Sequence, residues 1–205
     1  MEHWAGAFGD AYANRNAATT EAVQTRLRML APILARLDGD RPRNILECGC
    51  NVGLNLRALR QLTRAELHAI EPNAHARQQV LDDRVLEPSR LHDATLAQLP
   101  FGDASVDLVF TSGVLIHVPP DRLERALREV YRVSRKYVLA IEYFSVKPEA
   151  VEYRDQAGMM WKRDFGGAYL DLFSDLVPID VGFLWRRTTG CDDATWWLLS
   201  KRGAP

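Results

Sequence analysis

The feature that most constrains this chain is the segment ILECGCNVG (45–53), in which an apolar run ends in alternating glycine and asparagine positions. An apolar run followed by glycines and then by a leucine-rich helical pattern predicts a strand, a tight turn and a helix. In a doubly wound sheet, ligands bind beside the carboxyl ends of the strands, near the first such turn. The segment therefore predicts an α/β fold with a ligand site in this turn.

Helical and strand-like segments alternate along the rest of the chain. Helical patterns cover 19–38, 51–62, NAHARQQVLDD and 119–134, and Pro32 is expected to kink or divide the first of them. IDVGFLWRR and ATWWLLSK, joined by TTGCDD, predict a hairpin, and 145–178 is expected to be irregular. This order predicts a Rossmann-like, doubly wound α/β fold: a mostly parallel seven-stranded sheet with an antiparallel last strand and an N-terminal helical cover.

The 205 residues predict a single domain, long enough to bury a core without disulfides or metal staples. No internal repeat or low-complexity tract divides the sequence. Its expected parts are an N-terminal helical cover or lid (1–38), a cofactor-binding core (44–142), a substrate-facing insert (145–178) and a terminal hairpin (179–201).

The charge balance argues against a polyanionic partner. The net charge is −1, from 26 basic and 27 acidic residues, so no overall field attracts nucleic acid or an anionic membrane. No signal peptide and no apolar run long enough to span a membrane is evident. A small-molecule partner is therefore expected, with no nucleic acid and no membrane, and the oligomeric state stays open.

The three cysteines are expected to be reduced thiols in a cytoplasmic protein. Cys48 and Cys50 flank Gly49, and a disulfide across one residue would be badly strained. A metal site at the same pair lacks further ligands at zinc spacing, so no metal is expected.

The residues of the glycine turn distinguish two kinds of ligand. A dinucleotide fingerprint needs a third glycine where this chain has Leu54. The spacing is instead E-x-G-x-N-x-G, formed by Glu47, Gly49, Asn51 and Gly53. An acid at the strand end suits an α-ammonium group and is unfavourable beside a pyrophosphate. The turn therefore favours S-adenosylmethionine over a dinucleotide.

With these motifs the chain resembles the class I S-adenosylmethionine-dependent methyltransferases over roughly residues 44 to 142. ILECGCNVG is similar to their first motif, with Asn51 in place of the central glycine, and AIEP to their second. HDAT is similar to their adenine loop and FGDASVDLVFTSGVLIHV to their fourth-strand signature. The resemblance implies the cofactor S-adenosylmethionine, the product S-adenosylhomocysteine, and cofactor contacts from Glu47, Gly49, Asn51, Gly53, Glu71, Pro72, Asp93, Ala94, Thr95 and Ser112. Within that set, a carboxylate at Glu71 is expected to accept the ribose hydroxyls.

A narrower resemblance extends over nearly the whole chain. HWAGAFGDAYANRN, VGLNLRAL, SGVLIHVPP, IEYFS and WKRDFG are similar to segments of methylases associated with pseudaminic acid biosynthesis. This resemblance implies a small acidic acceptor, such as a nonulosonic acid sugar or a biosynthetic intermediate, that is methylated on oxygen or nitrogen.

Candidate catalytic and substrate-binding residues lie around the same edge of the sheet. His117, just past the fourth strand, is the first candidate for a general base, although it alternatively braces its loop and an anionic acceptor needs no base. Glu142 and Tyr143, at the end of the fifth strand, are expected to orient the acceptor. The expected acceptor-binding residues are Tyr12, Arg15 and Asn16 in the cover, and Lys162 and Arg163 before the hairpin.

Two other functions remain open on sequence grounds. A nicotinamide-dependent oxidoreductase shares the sheet, but Leu54 and the lack of a further catalytic domain argue against it. A non-catalytic cofactor-binding protein on a methyltransferase scaffold is left open by Asn51.

Overall fold

The protein is an α/β sandwich built on one seven-stranded sheet in the order β3-β2-β1-β4-β5-β9-β8. The computed structural model describes the backbone of residues 2–154 and 156–202 and the side chains of residues 4–154 and 158–202; both ends of the predicted domain, residues 1 and 203–205, lie outside that part. Strands β1 to β5 run parallel, and β9 pairs antiparallel with both β5 and β8. The predicted fold class is confirmed.

The elements follow one another in chain order. The strands are β1 (Asn44–Cys48), β2 (Glu66–Ile70), β3 (Leu91–His92), β4 (Val106–Ser112), β5 (Ser134–Glu142), β6 (Glu149–Tyr153), β7 (Gln156–Lys162), β8 (Leu176–Leu184) and β9 (Ala194–Lys201). The helices are α1 (Glu2–Ala5), α2 (Ala7–Arg15), α3 (Thr20–Leu34), α4 (Leu54–Leu62), α5 (Ala74–Asp82), α6 (Pro120–Val133), α7 (Phe165–Leu172) and α8 (Arg186–Thr189). A 3-10 turn, Leu115–His117, follows β4.

Each face of the sheet buries its own hydrophobic layer because successive strand residues point to opposite sides. On one face, Ile45 and Leu198 pack with helices α3 and α4. On the other face, Leu46 and Leu199 pack with α6 and α7. Because helices cover both faces of the sheet, polar side chains that could bind a ligand are accessible at the ends of the strands.

One expectation about local structure was wrong, and one of the two alternatives for Pro32 is excluded. Pro32 does not divide the first long helix, because α3 continues to Leu34 and packs Met29, Leu30 and Ile33 into the core. Residues 145–178 are not irregular: they hold the two-stranded ribbon β6–β7, helix α7 and the start of β8. The ribbon carries few buried positions, so the alternation that marks a strand in sequence is weak there.

The segment before β1 begins with helices α1 and α2, which contact α5, and continues with α3 against α4. Within the described residues, no helix has both the length and the apolar character needed to cross a bilayer.

Candidate active site

The turn after β1 folds tightly because three of its residues adopt left-handed backbone conformations. Gly49 has φ 78°, Asn51 φ 48° and Gly53 φ 76°. Asparagine is among the few side-chain-bearing residues that tolerate this region, which explains how Asn51 replaces a glycine. A Cβ on Gly49 would come within 2.8 Å of the Val114 side chain. The amides of Gly49 and Cys50 donate to the Ile70 carbonyl at the end of β2.

Glu71 follows β2 and is held by this turn. Its Oε2 accepts a hydrogen bond from the Asn51 amide at 2.8 Å, and its Oε1 accepts one from the Asn73 amide at 2.9 Å. Burial raises the pKa of Glu71, while the two amides oppose that rise. The carboxylate lines the cavity at the carboxyl ends of the strands, oriented before any ligand arrives.

Glu47, at the end of β1, lines the same cavity and is 2% exposed. Asn55, in the first turn of α4, donates from Nδ2 to its Oε1 at 2.7 Å. Glu47 Oε2 and Asn55 Oδ1 are both buried and have no partner among the described residues. Buried acceptors without donors are costly, so these two oxygens fit a ligand that brings several donors, such as an α-ammonium group.

Burial raises the pKa of Glu47 to about 8, and the hydrogen bond from Asn55 and the charge of Arg26 oppose the rise. Arg26 projects from α3 and lines the cavity together with Glu47. Its Nη1 donates to Cys191 Sγ at 3.1 Å, and no carboxylate pairs with it in the part of the chain that the structure describes. The cavity thus holds a carboxyl group and a guanidinium group that form no ion pair with each other.

The loop after β3 forms another wall of the cavity. Ala94 and Thr95 line it, together with Leu96. Asp93 is turned toward Arg77, whose Nη2 lies 2.8 Å from its Oδ2, and the Asp93 side chain is 70% exposed. Ala94, Thr95 and Leu96 of this loop, rather than the Asp93 carboxylate, therefore lie against the cavity.

His117, at the end of the 3-10 turn, lines the cavity beneath an aromatic cluster. Its ring centroid lies 4.5 Å from that of Trp4 and 5.2 Å from that of Tyr153. Nδ1 is 2.7 Å from the Met159 carbonyl oxygen, which accepts only, so Nδ1 carries the proton. Burial lowers the pKa of His117 to about 4, so near neutral pH the ring is uncharged and Nε2 holds a free lone pair.

Glu142 lies beneath the cavity loop instead of at the rim. It is fully buried and accepts hydrogen bonds from the amides of Val114, Leu115 and Ile116 at 3.1–3.3 Å. Burial raises the pKa of Glu142 to about 7. Because its oxygens are directed at the loop backbone, the carboxylate holds the loop in place and does not reach an acceptor in the cavity.

Tyr143, Lys162 and Arg163 lie beside the cavity in a neighbouring region. The Tyr143 hydroxyl donates to Asp192 Oδ2 at 2.9 Å, and Tyr143 and Lys162 line a shallow groove there. Arg163 is 9% exposed, and its Nε and Nη2 have no partner among the described residues. Burial lowers the pKa of Arg163. Arg15 lies over the ring of Tyr12, with its guanidinium carbon 5.8 Å from the ring centroid.

The structure therefore divides the residues predicted from sequence into two groups. Those that line the cavity are Tyr12, Asn16, Glu47, Gly49, Asn51, Glu71, Pro72, Ala94, Thr95, Ser112 and His117. Those placed outside its lining are Arg15, Gly53, Asp93, Glu142, Tyr143, Lys162 and Arg163.

Sequence reasoning missed three polar residues of the cavity: Arg26, Asn55 and Asn73. Arg26 follows Val23 by one helical turn, so its place beside the apolar face of the helix was a usable signal. Asn55 lies between two leucines in a helix that begins beside the turn. Asn73 precedes a helix, and its position in the sequence predicts only an N-cap.

Part of the sequence is similar to known methyltransferases. Residues 46–140 match the family described as "Methyltransferase domain". A tRNA N(3)-methylcytidine methyltransferase of Drosophila melanogaster is 30% identical over 120 residues, which cover 54% of this chain. The match covers only 37% of the length of that relative.

Solved structures show the same fold over nearly the whole chain. The Burkholderia thailandensis 1,6-didemethyltoxoflavin-N1-methyltransferase, solved with S-adenosylhomocysteine, has a TM-score of 0.68 at 18% identity, covering 94% of this chain and 84% of its own. The Synechocystis magnesium protoporphyrin IX methyltransferase, also solved with S-adenosylhomocysteine, has a TM-score of 0.69 at 13% identity, covering 98% and 96%. Residues 46–140 are therefore similar to a methyltransferase domain, and the chain shares its fold with two methyltransferases that were solved with S-adenosylhomocysteine.

Proposed function

We propose that this protein transfers the methyl group of S-adenosylmethionine to an oxygen or nitrogen of a small, acidic metabolite. The observation that carries the proposal is the pair of buried acids, Glu47 and Glu71, at the ends of neighbouring strands in one cavity. Their partners leave one free, buried oxygen at Glu47 and a carboxylate oriented by two amides at Glu71. The two sites suit the two ends of an aminoacyl nucleoside.

Each part of the cofactor is proposed to bind a different set of cavity residues. Glu47 Oε2 and Asn55 Oδ1 take the α-ammonium group, and Arg26 takes the α-carboxylate. Glu71 accepts the ribose hydroxyls, as acids at this position do in nucleotide-binding folds. The loop of Ala94 and Thr95 borders the base. When bound, the cofactor supplies an electrophilic methyl group on a positively charged sulfur.

The acceptor is proposed to enter beneath Tyr12, Asn16 and His117. Its hydroxyl or amine gives up a proton during transfer, and His117 Nε2 is the available base because Nδ1–H is fixed on Met159. Because burial lowers the pKa of His117 to about 4, the ring is unprotonated near neutral pH and can accept a proton. The aromatic cluster of Trp4, Tyr12 and His117 excludes water from this end of the cavity.

The acidic character of the acceptor is inferred from Arg163. A buried guanidinium without an acid beside it is unfavourable unless an anion arrives to pair with it. Its amide donates to the Tyr143 carbonyl. Burial, Asp192 and the cavity residue Tyr12 raise the pKa of Tyr143, so this region adjoins the acceptor end of the cavity. Lys162 adds a second positive charge to the region. A carboxylated sugar, such as a nonulosonic acid or a biosynthetic intermediate, combines the expected charge with a face that packs on aromatic rings.

The test is a methyl-transfer screen followed by mass spectrometry. The protein is incubated with methyl-labelled S-adenosylmethionine and, separately, with acidic sugars, uncharged sugars, simple carboxylic acids and total tRNA. We expect an acidic sugar to gain one methyl group and the uncharged sugars and tRNA to gain none. Label in tRNA alone would overturn the small-molecule proposal and favour the activity named for the Drosophila relative.

A further inference from the structure

Asn73 makes more specific contacts than an N-cap requires. Its Oδ1 accepts from the Ala76 amide at 2.8 Å and caps helix α5, while its own amide donates to Glu71 Oε1. Its Nδ2 donates to the Trp4 carbonyl at 3.1 Å and to Asp10 Oδ1 at 2.8 Å. One residue, 2% exposed, therefore connects an acid of the cavity through its main-chain amide to the N-terminal segment 4–16 through its side chain, and we call that segment the roof.

The roof approaches Asn73 too closely for any residue but glycine at the contact. A Cβ on Gly9 would collide with the Trp4 carbonyl oxygen and lie 2.7 Å from Asn73 Nδ2. Beside it, Asn14 Oδ1 lies 2.8 Å from His75 Nε2, so α2 contacts α5 at a second polar position. The roof is thus placed by specific polar contacts to the residues that follow Glu71.

We infer that Asn73 is a positioning residue that couples Glu71 to the roof, so that a nucleoside held by Glu71 also stabilises the roof over the cavity. The inference rests on the proposed function, because it takes Glu71 to be the ribose-binding acid. A ligand that hydrogen-bonds to Glu71 restrains the carboxylate, the Asn73 amide bonded to it and, through the Asn73 side chain, Trp4 and Asp10. Tyr12 and Asn16 of the roof line the same cavity, so the coupling acts in both directions.

The chain offers variants that separate the coupling from the helix cap. Asn73→Ser retains a good N-cap and the main-chain amide but removes the Nδ2 donor. Asn73→Asp also retains the cap, and it places a second carboxylate against Asp10. Asp10→Asn alone keeps an acceptor for Asn73 and serves as the control. The double variant Asn73→Asp with Asp10→Asn restores one donor and one acceptor in reversed order.

Two measurements on the full chain test the inference: amide hydrogen exchange in α2, and S-adenosylhomocysteine affinity by calorimetry. We expect S-adenosylhomocysteine to slow exchange in α2 of the wild type. Asn73→Ser should weaken binding about tenfold, the loss expected when two hydrogen bonds are removed. Asn73→Asp should weaken binding further, and the reversed pair should recover that further loss only in part, because the Trp4 carbonyl stays without its donor. Asp10→Asn should remain within about threefold of wild type.

Unchanged exchange and unchanged affinity in Asn73→Ser, or no recovery in the reversed pair, would overturn the inference. Faster exchange in ligand-free Asn73→Ser with unchanged affinity would also overturn it, because the roof would then be held by Asn73 without coupling to the cofactor. A wild-type protein that does not bind S-adenosylhomocysteine at all would instead contradict the proposed function. Calorimetry on the wild-type protein separates these failures, because only failure of the proposed function abolishes S-adenosylhomocysteine binding.

Discussion

The two halves of the cavity are built in different ways. On the proposed cofactor side, Glu47 and Glu71 are almost fully buried and come from the ends of adjacent strands. Hydrogen bonds from the β1 turn, from helix α4 and from the loop after β2 fix them. On the acceptor side, Trp4, His117 and Tyr153 come from three distant segments and meet mainly through ring contacts. The sheet therefore determines the geometry of the cofactor side. The acceptor side depends on segments outside the sheet, whose sequence can vary without altering the sheet.

The largest expected effect is on the acceptor side. His117→Ala should lower the rate of transfer by about 10²–10⁴-fold, the contribution of a positioned general base, and leave S-adenosylhomocysteine affinity within about twofold. Since the pKa of His117 is about 4, the wild-type rate should show no loss from His117 protonation between about pH 6 and about pH 8. Rate assays and calorimetry on the same preparation check the expected loss of rate and the retained affinity. A rate unaffected by the substitution would remove the general base from the account.

Glu71→Ala should produce the largest effect on the cofactor side. Losing hydrogen bonds to a charged group costs about 1.5–3 kcal/mol, so S-adenosylhomocysteine affinity should fall about 10- to 150-fold. Asp93→Ala is the matched control, because its carboxylate is mostly exposed and paired with Arg77. Affinity in the control should change less than about threefold. Equal losses in the two variants would contradict the role of Glu71.

Glu47→Gln should weaken S-adenosylhomocysteine binding by about tenfold, because the variant keeps the shape of the side chain and loses its charge. It should leave 5′-methylthioadenosine binding unchanged, because that nucleoside lacks the amino acid. Calorimetry with both ligands isolates the aminoacyl end. A comparable loss for both ligands would show that the substitution acts through the fold of the turn.

The pH dependence of binding tests the same residue. Burial raises the pKa of Glu47 to about 8, so in the ligand-free protein the carboxyl is mostly protonated below that pH, and the ammonium group requires the ionised form. The raised value also means that Glu47 lowers the free energy of unfolding as pH increases from its ordinary pKa to the folded one. Wild-type affinity should rise from about pH 6 to about pH 8 relative to Glu47→Gln. Parallel profiles for the two proteins would contradict this.

The smallest effect is expected from Arg163→Met. Nε and Nη2 of this guanidinium have no hydrogen-bond partner among the described residues, so its removal should change the free energy of unfolding by less than about 1 kcal/mol. Arg132→Met is the control, because Arg132 donates hydrogen bonds to Glu129 and Asp103. This substitution should lower the free energy of unfolding by about 1–3 kcal/mol. Chemical denaturation without acceptor compares them. An equal cost would show that Arg163 is a structural residue.

The cofactor side was predictable because local rules determine it. The strand-turn-helix pattern places Glu47 at a strand end, the glycine spacing defines the turn, and Glu71 follows the next strand. Asn51 stands in place of a glycine of the motif, and its φ of 48° lies in the left-handed region that asparagine tolerates. These inferences do not depend on the tertiary packing of the helices.

The rest depended on tertiary contacts that one sequence does not display. Arg26 reaches the cavity because α3 packs across α4. Glu142 was expected at the rim, but three loop amides hold it beneath the 3-10 turn. The β6–β7 ribbon supplies Met159 to His117 and was expected to be irregular. Each of these depends on where a distant segment docks.

A crystal structure of the protein with S-adenosylhomocysteine tests the central assignment most directly. We predict the α-ammonium group within hydrogen-bond distance of Glu47 Oε2, the α-carboxylate at Arg26 and the ribose hydroxyls at Glu71. A complex with the ribose or base at Glu47, or with the aminoacyl group away from both Glu47 and Arg26, would contradict the account.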